Sequence, residues 1–510
     1  MNDDLLFLYG PPGSGKSTLG QVLAARLGVP FTDLDSVIVA EAGGVSIPDI
    51  FARESEKGFR ARERAALQNV AARPAGVVAL GGGALVDSAA RAVAEAAGRI
   101  LFLDVPRPVL ERRVMAQRGT RPLAGAVDKL RALLDARAAH YASFPLRLVQ
   151  TEAQGDESPD VRADRAEIAL GRFRITSGDA PSDVRVGTDL IETLGVRTRA
   201  CGFTSRAVVV CDAHTAPLYA DRAVKALRTA GLDATSVTIP AGEETKDIST
   251  VATIWRAFLS AGLGRRDVAV AVGGGVTGDM TGFAAATWMR GIAWINVPTT
   301  LLSMVDASTG GKTGCDLPEG KNLLGAFHSP AVVLADVSTL ATLPEREIRC
   351  GLAEAIKHAF IADPALLSLP DFKDPAAVAA YVRRALAVKV GVVRRDPCEK
   401  GERALLNLGH TVGHAVEIAT DFKLHHGEAV AIGVVEEARL AVRLGLAAAD
   451  WPTQVAAPFA AAGLPTELPA GLAFDDLKPI MRRDKKQREG RIHFALPCAM
   501  CDVRLVPVSL

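Results

Sequence analysis

LLFLYGPPGSGKSTLGQVLAARL, residues 5–27, decides the fold class of the first part of the chain. Leu5 to Tyr9 read as a short buried strand, the glycine-rich run from Gly10 to Thr18 follows without a spacer, and a helix is expected from Leu19 to Leu27. Strand, loop and helix in this order are what a Walker A loop requires. Its glycines, Gly13 and Gly15 among them, let backbone N–H groups converge on phosphates. Lys16 then reaches the outer phosphates, the Ser17 hydroxyl suits Mg²⁺, and Thr18 completes the nucleotide-binding run. The surrounding domain is expected to be α/β, a parallel sheet with flanking helices.

A phosphate-binding loop names a nucleotide but not an acceptor, and the residues that follow address the acceptor. FTDLDSVI places Asp33 and Asp35 two apart at a strand end, so that one could serve a metal and the other an acceptor. IFARESEKGFRARE (50–63) precedes the strand VVAL, which runs into Gly81-Gly82-Gly83, where a ligand can approach bare backbone. RGTRPLAG puts Arg118 and Arg121 on a loop, and Arg137 and Tyr141 sit on a later helix. Over residues 1–170 these features resemble shikimate kinase. The resemblance implies that ATP is the phosphoryl donor, that Asp35, Arg60, Gly82 and Arg137 hold shikimate, that Asp33 and Ser17 serve Mg²⁺, and that Lys16 and Arg121 act on the transferring group. Ser55, where the family pattern usually has glycine, and Ala124, where the lid more often has leucine, depart from it.

At 510 residues the chain exceeds one hydrophobic core, and two to four domains are expected. Lys plus Arg number 59 and Asp plus Glu 58, so no global field favours nucleic acid or an anionic membrane, and small-molecule substrates must be held by local charge. No apolar run approaches the ~20 residues of a membrane span, and the start lacks the features of a signal peptide, which reads as a soluble, cytoplasmic protein. Seven scattered cysteines make no disulfide framework, and the lone CxxC at Cys498 and Cys501 reads as incidental. Residues 171–183, GRFRITSGDAPSD, have the composition of a linker.

Beyond it, strands at 207–212, 236–240 and 267–272 alternate with helices, which argues a second parallel sheet. The last strand enters GGGVTGD, a GxGxxG without the acidic residue a standard dinucleotide site carries about 20 positions on, so a dinucleotide or phosphate site of different build is expected. Asp212 and the GEETK at 242–246 offer groups for ribose hydroxyls, and Arg290, Lys312 and Lys321 offer cations for an anionic substrate. Further on, RALLNLGHTVGHAVEIATDFKLHHGEAV (403–430) holds four of the nine histidines. His410 and His414 would share a helical face, the pair His425-His426 could fold back toward it, and a divalent metal is the natural occupant.

From Val184 onward the sequence resembles 3-dehydroquinate synthase, on GEETK, GGGVTGDMTGF, VPTTLLSMVD, GGKTG, GKNLLGAFHSP, GLAEAIKH, LNLGHTVGHAVE, HHGEAV and DKK in fixed order. This implies an α/β NAD-binding domain over 184–340 and a mainly helical metal- and substrate-binding domain over 341–510. By resemblance, NAD lies against Asp212, Glu243, Lys246, Gly274, Gly275, Val276, Asp279, Thr299, Thr300, Lys312, Lys321 and Thr342. The substrate, 3-deoxy-arabino-heptulosonate 7-phosphate, would meet Arg290, Asp306, Lys312, Asn322, Lys357, Lys389, Arg403, Asn407, His414 and Lys485, with Lys357, Arg403 and His414 in catalytic roles. Zn²⁺ or Co²⁺ would be held by Glu354, His410 and His426, and a homodimer through this half is implied. His214 and Asp316, where the family usually has asparagine, depart from the pattern. Two alternatives stay open on residues alone: another sugar-phosphate cyclase in the second half, or a nucleotide-binding module without kinase activity in the first.

Overall fold

The computed structural model describes residues 4–116, 126–155, 157–482, 487–488 and 491–509, and the chain divides into two compact units, Met1–Leu170 and Gly171–Leu510. Arg118, Arg121, Ala124 and Lys485 lie outside the described residues.

The first unit is built on a parallel sheet of β1 (Leu5–Tyr9), β2 (Phe31–Asp33), β3 (Gly76–Ala79), β4 (Arg99–Asp104) and β5 (Arg147–Val149), in the order β2-β3-β1-β4-β5. β1 is central and buried on both faces: Leu5, Phe7 and Tyr9 enter one core, Leu6 and Leu8 the other. That two-sided burial explains its unbroken apolar run. Helix α1 (Lys16–Leu27) leaves the phosphate loop, α2 (Ile47–Ala71) carries Arg60, and α3 (Ala126–Ala142) carries Arg137. β2 ends at Asp33, the strand end expected from the sequence. Asp33 is the N-cap of a helix over Leu34–Glu41, its Oδ1 accepting the Asp35 N–H at 3.1 Å, so Asp35 lies in the first turn of that helix.

The second unit opens with β6 (Arg172–Ile175) and β7 (Ser182–Gly187), which pair antiparallel. The segment expected to be a linker is therefore the edge of a sheet. Arg172 and Arg185 share Asp183, and Phe173 and Ile175 are buried, an alternation that the polar composition of the segment concealed. With β8 (Arg206–Asp212), β9 (Asp233–Ile239), β10 (Val268–Gly273) and β11 (Ala293–Pro298), a hairpin of β12 (Lys312–Leu317) and β13 (Gly320–Phe327), and β14 (Val332–Asp336), the main sheet runs β6-β7-β14-β11-β10-β8-β9. Strand order reverses between β8 and β10, and the crevice beyond their carboxyl ends is where open α/β sheets bind ligands. Helix α4 (Gly275–Thr287) starts there.

The remainder is mainly helical: α5 (Glu345–Ile361), α6 (Pro375–Arg395), α7 (His410–Ala419) and α8 (His426–Arg443). α8 is buried on nearly every face between Gly427 and Ala438, as a helix at the centre of a domain must be. A three-stranded antiparallel sheet of β15 (Gln487–Arg488), β16 (Arg491–Ala499) and β17 (Asp502–Val508), not expected from the sequence, packs on α8. Cys498 and Cys501 sit at the β16–β17 turn, and none of the seven cysteines is bonded to another. Among the described residues no helix is long and apolar enough to cross a membrane.

Candidate active sites

In the first unit the phosphate loop wraps the start of α1, with Gly13 and Gly15 at φ 79° and 83°, a backbone that non-glycine residues resist. Lys16 Nζ donates to the Gly10 and Pro11 carbonyls at 2.9 and 3.0 Å, and Ser17 Oγ donates to Asp33 Oδ2 at 2.6 Å. Burial pushes the Lys16 ammonium down to about 8 against the pull of Asp35 and Asp33, so the loop holds a cation short of anionic partners. Gly13, Gly15, Lys16, Ser17, Thr18, Arg113 and Arg162 line a cleft of about 530 Å³. Arg162 bonds the Ser14 carbonyl at 2.7 Å.

Beside it, charged groups converge on the triple glycine. A methyl group at Gly83 would lie 2.8 Å from Arg60 and 3.1 Å from Arg137, and one at Gly81 would lie 2.9 Å from Glu63 and 3.4 Å from Asp35. Arg137 and Tyr141 both donate to the Gly82 carbonyl, at 2.7 and 2.9 Å, and Arg60 pairs with buried Glu63 at 2.5 Å. Two guanidiniums and the Asp35 carboxylate around bare backbone suit a small acceptor with a carboxylate and hydroxyls. Ser55, inside α2, stands at φ 64°, ψ 174°, a conformation suited to glycine.

In the second unit the first turn of α4 has no side-chain cap, leaving backbone N–H groups of Gly275 and Val276 facing the crevice. Asp212, at the end of β8, accepts from Thr277 Oγ1 at 2.9 Å, and the Thr299 N–H bonds Gly273 at 2.9 Å, which brings Thr300 alongside Gly274. Lys246 is buried between Asp279 (2.7 Å) and Asn322 (2.8 Å). Lys321 lies between Glu243 (3.4 Å) and Glu417 (3.3 Å), and Thr342 meets Tyr219 at 2.5 Å. Arg290 stands on the exposed turn after α4, about 20 Å from that helix's start at 1.5 Å per residue.

Next to this crevice lies a dense charge cluster. Asp306 receives Lys389 twice at 2.9 Å and lies 3.3 Å from His358 Nε2 and 3.7 Å from Lys357; burial opposes its ionisation, but the two lysines hold its carboxyl well below the usual range. Burial pushes Lys389 down to about 8 in spite of Asp306. Lys357 also pairs with Glu354. Glu354 Oε1 lies 3.5 Å from His410 Nε2 and 3.4 Å from His426 Nε2, and the ligand atoms of the three gather within 4.8 Å. The His410 Nδ1–H is given to the Leu408 carbonyl at 3.1 Å, leaving the Nε2 lone pair toward Glu354. Three donors so arranged fit a zinc-type ion.

His414, one turn along α7, has its ring centroid 5.4 Å from His410 and 6.0 Å from His426. It gathers instead with Glu417 and the other face of His426, whose Nδ1 is 3.6 Å from Glu417. The start of α7 is fixed from α8: the Glu437 carboxylate, fully buried, accepts the Gly409 N–H at 2.5 Å, and Gly409 at φ 80° sits where a side chain would strike Val434 and the Val430 carbonyl. Arg403, buried, donates to the carbonyls of Gly310 and Pro397, while Asn407 and Lys312 both engage Glu399.

A relative from Symbiobacterium thermophilum described as 3-dehydroquinate synthase is 44% identical over 339 residues, covering 65% of this chain and 95% of that protein. The chain belongs to the 3-dehydroquinate synthase family. Family models for the N-terminal and C-terminal parts of 3-dehydroquinate synthase match residues 236–350 and 351–487, and the shikimate kinase model matches residues 12–164, so the chain is a fusion of the two. Among solved structures, 2-deoxy-scyllo-inosose synthase complexed with carbaglucose-6-phosphate, NAD⁺ and Co²⁺ matches with TM-score 0.61 at 26% identity, over 66% of this chain and 96% of that one. The 2-epi-5-epi-valiolone synthase from Streptomyces hygroscopicus with NAD⁺ and Zn²⁺ bound matches with TM-score 0.58 at 30% identity, over 64% and 93%.

Sequence reasoning passed over several residues of these sites. In the kinase half, Glu63 is three residues after Arg60 on one helix, a spacing that could have exposed the pair, whereas Arg113 and Arg162 reach the phosphate loop from far along the chain. In the synthase half, Glu417 was legible as the acid of HAVE but not as the partner of His426 and Lys321, and nothing local marks Glu437.

Proposed function

We propose that the chain catalyses two steps toward aromatic compounds: ATP-dependent phosphorylation of the 3-hydroxyl of shikimate, and conversion of 3-deoxy-arabino-heptulosonate 7-phosphate to 3-dehydroquinate and phosphate. The observation that carries the reading is the coexistence, in one chain, of a phosphate loop beside a two-arginine acceptor cluster and a Glu-His-His cluster beside a dinucleotide crevice. A nucleotide-binding module alone has no use for Arg60 and Arg137 around Gly83.

In the kinase half, Arg60 and Arg137 would pair with the shikimate carboxylate, Asp35 would accept the proton of the attacking hydroxyl, and Lys16 would follow the charge that builds on the transferring phosphoryl group. Ser17 and Asp33, already joined, would hold Mg²⁺. By the resemblance, Arg121 would add positive charge for the same group.

In the synthase half, Glu354, His410 and His426 would hold the divalent metal, and Gly274, Gly275, Val276 and Asp212 the dinucleotide. When bound, the metal supplies Lewis acidity at a substrate hydroxyl and NAD⁺ a reversible hydride acceptor. Glu417 would receive the Nδ1–H of His426 and so aim Nε2 at the metal position. Lys357, Lys389 and Arg403 supply positive charge for an anionic substrate in a buried setting, and His414 stands where it could move a proton. The alternative, another sugar-phosphate cyclase, rests on the 26–30% identical solved structures, whereas the 44% identical relative favours 3-dehydroquinate synthase. A homodimer through this half and a cytoplasmic location complete the reading.

Metal analysis of two variants tests the ligand assignment. His410→Ala should lose one equivalent of bound metal together with synthase turnover, while His414→Ala should keep the metal and lose turnover. Equal metal loss in both would move the ion to the His414-Glu417-His426 set.

A further inference from the structure

A second group of metal-ligating side chains lies one to two turns up α5 from Glu354. Glu347, Cys350 and Glu354 stand at i, i+3 and i+7 and so share one face of that helix, the face turned to the start of α8. Glu354 meets His426. Glu347 and Cys350 meet the preceding residue, His425, whose Nδ1 is 2.9 Å from Glu347 Oε1, and the ligand atoms of all three lie within 4.8 Å of one another.

Backbone packing holds this arrangement in place. A methyl group at Gly427 would lie 2.4 Å from both the Cα and the carbonyl oxygen of Cys350, so the two helices touch backbone to backbone there. The Cys350 thiol is thereby set beneath the first turn of α8, where the N–H groups of Gly427 and Glu428 point at it. The flanking charges are already matched: Glu428 pairs with Arg346 at 2.8 Å and takes the His425 N–H at 2.9 Å, and Arg349 pairs with Glu345. Glu347 and His425 are each a little over a third exposed, which gives an ion a path of entry and leaves a coordination position for water, while Cys350 is buried.

We propose that Glu347, Cys350 and His425 form a second divalent-metal site, distinct from the Glu354-His410-His426 set and selective for a zinc-like ion through its thiolate and imidazole. One carboxylate, one thiolate and one neutral imidazole balance a dication, and uptake releases the thiol proton. Burial, with Glu347 and Glu428 nearby, pushes the thiol up to about 12. Occupied, the site would tie the start of α8 to α5 beside His426.

The site contains the sulfur that the Glu354-His410-His426 set lacks, which makes cobalt the appropriate probe. The metal-stripped full-length chain, titrated with Co²⁺ alone, should take up two equivalents, one of which produces a near-ultraviolet thiolate-to-cobalt charge-transfer band. Cys350→Ser should abolish the band and weaken that equivalent more than about tenfold, since losing a ligand exceeds the effect of losing a ligand's supporting partner. The more exposed His425→Gln should do the same with the core packing undisturbed. Glu354→Gln should retain the band and lose the other equivalent, which separates failure of this site from failure of the proposed catalytic one. A single equivalent without the band, or a band that survives Cys350→Ser, overturns the proposal.

Discussion

Replacing Arg60 by methionine isolates the acceptor cluster of the kinase half. Arg60 bonds Glu63 at 2.5 Å and stands with Arg137 at Gly83, so methionine keeps the packing stem and removes one of two cations from the proposed carboxylate position. Removing one partner from such a charge pair costs about 2–4 kcal/mol, or roughly a 30- to 700-fold fall in kcat/KM for shikimate. The KM for ATP should hold, because Lys16 and Ser17 are untouched. The synthase activity of the same chain is an internal control: its rate per mole of protein should not change. Burial already raises the Glu63 carboxyl above its ordinary value, with Arg60 opposing the rise. A folded pKa above the unfolded one means stability is greatest where Glu63 is protonated and declines as pH rises through the folded value. Without Arg60 that value climbs further, so the stability deficit of Arg60→Met should shrink as pH falls. A shikimate kcat/KM within a factor of three of the wild type, or a deficit independent of pH, would refute the assignment.

Ser55→Gly should relieve the left-handed backbone inside α2 and stabilise the kinase half by about 1 kcal/mol, read as a higher denaturation midpoint with KM values unchanged. Fragments 1–170 and 171–510 should each keep their activity, whereas starting the second at residue 184 removes β6 and cuts β7, and should yield insoluble protein. Lys389 titrates near 8, so it is charged below that pH and neutral above it. The KM for the heptulosonate phosphate should therefore rise above pH 8 by up to about tenfold per unit, and Lys389→Met should show a high KM without that rise.

What the sequence revealed of this architecture was what its short-range order encodes. The strand, loop and helix of residues 5–27 are contiguous, and the strands β8 and β10 announce themselves as apolar runs that feed both faces of a sheet. The polar edge strand β6 did not, because Arg172 and Arg174 alternate with Phe173 and Ile175 over only four residues among glycine, serine and proline. Asp33 shows how far a local pattern reaches: the strand end was legible, but the helix that its own side chain caps was not. In the sites, His410 and His426 could be named from motifs, but the division of labour between His410 and His414 depends on which ring nitrogen faces Glu354, and Glu354 arrives from α5. Glu437, which fixes the turn of α7 from within α8, has meaning only through tertiary contact.

Whether one chain performs both chemistries is decided by a paired assay on the purified full-length protein. ADP should form from ATP and Mg²⁺ only when shikimate is present, and inorganic phosphate should be released from 3-deoxy-arabino-heptulosonate 7-phosphate only with NAD⁺ and Zn²⁺ or Co²⁺ supplied. Folded protein that shows neither release, or only one of the two, is not a bifunctional enzyme of this kind.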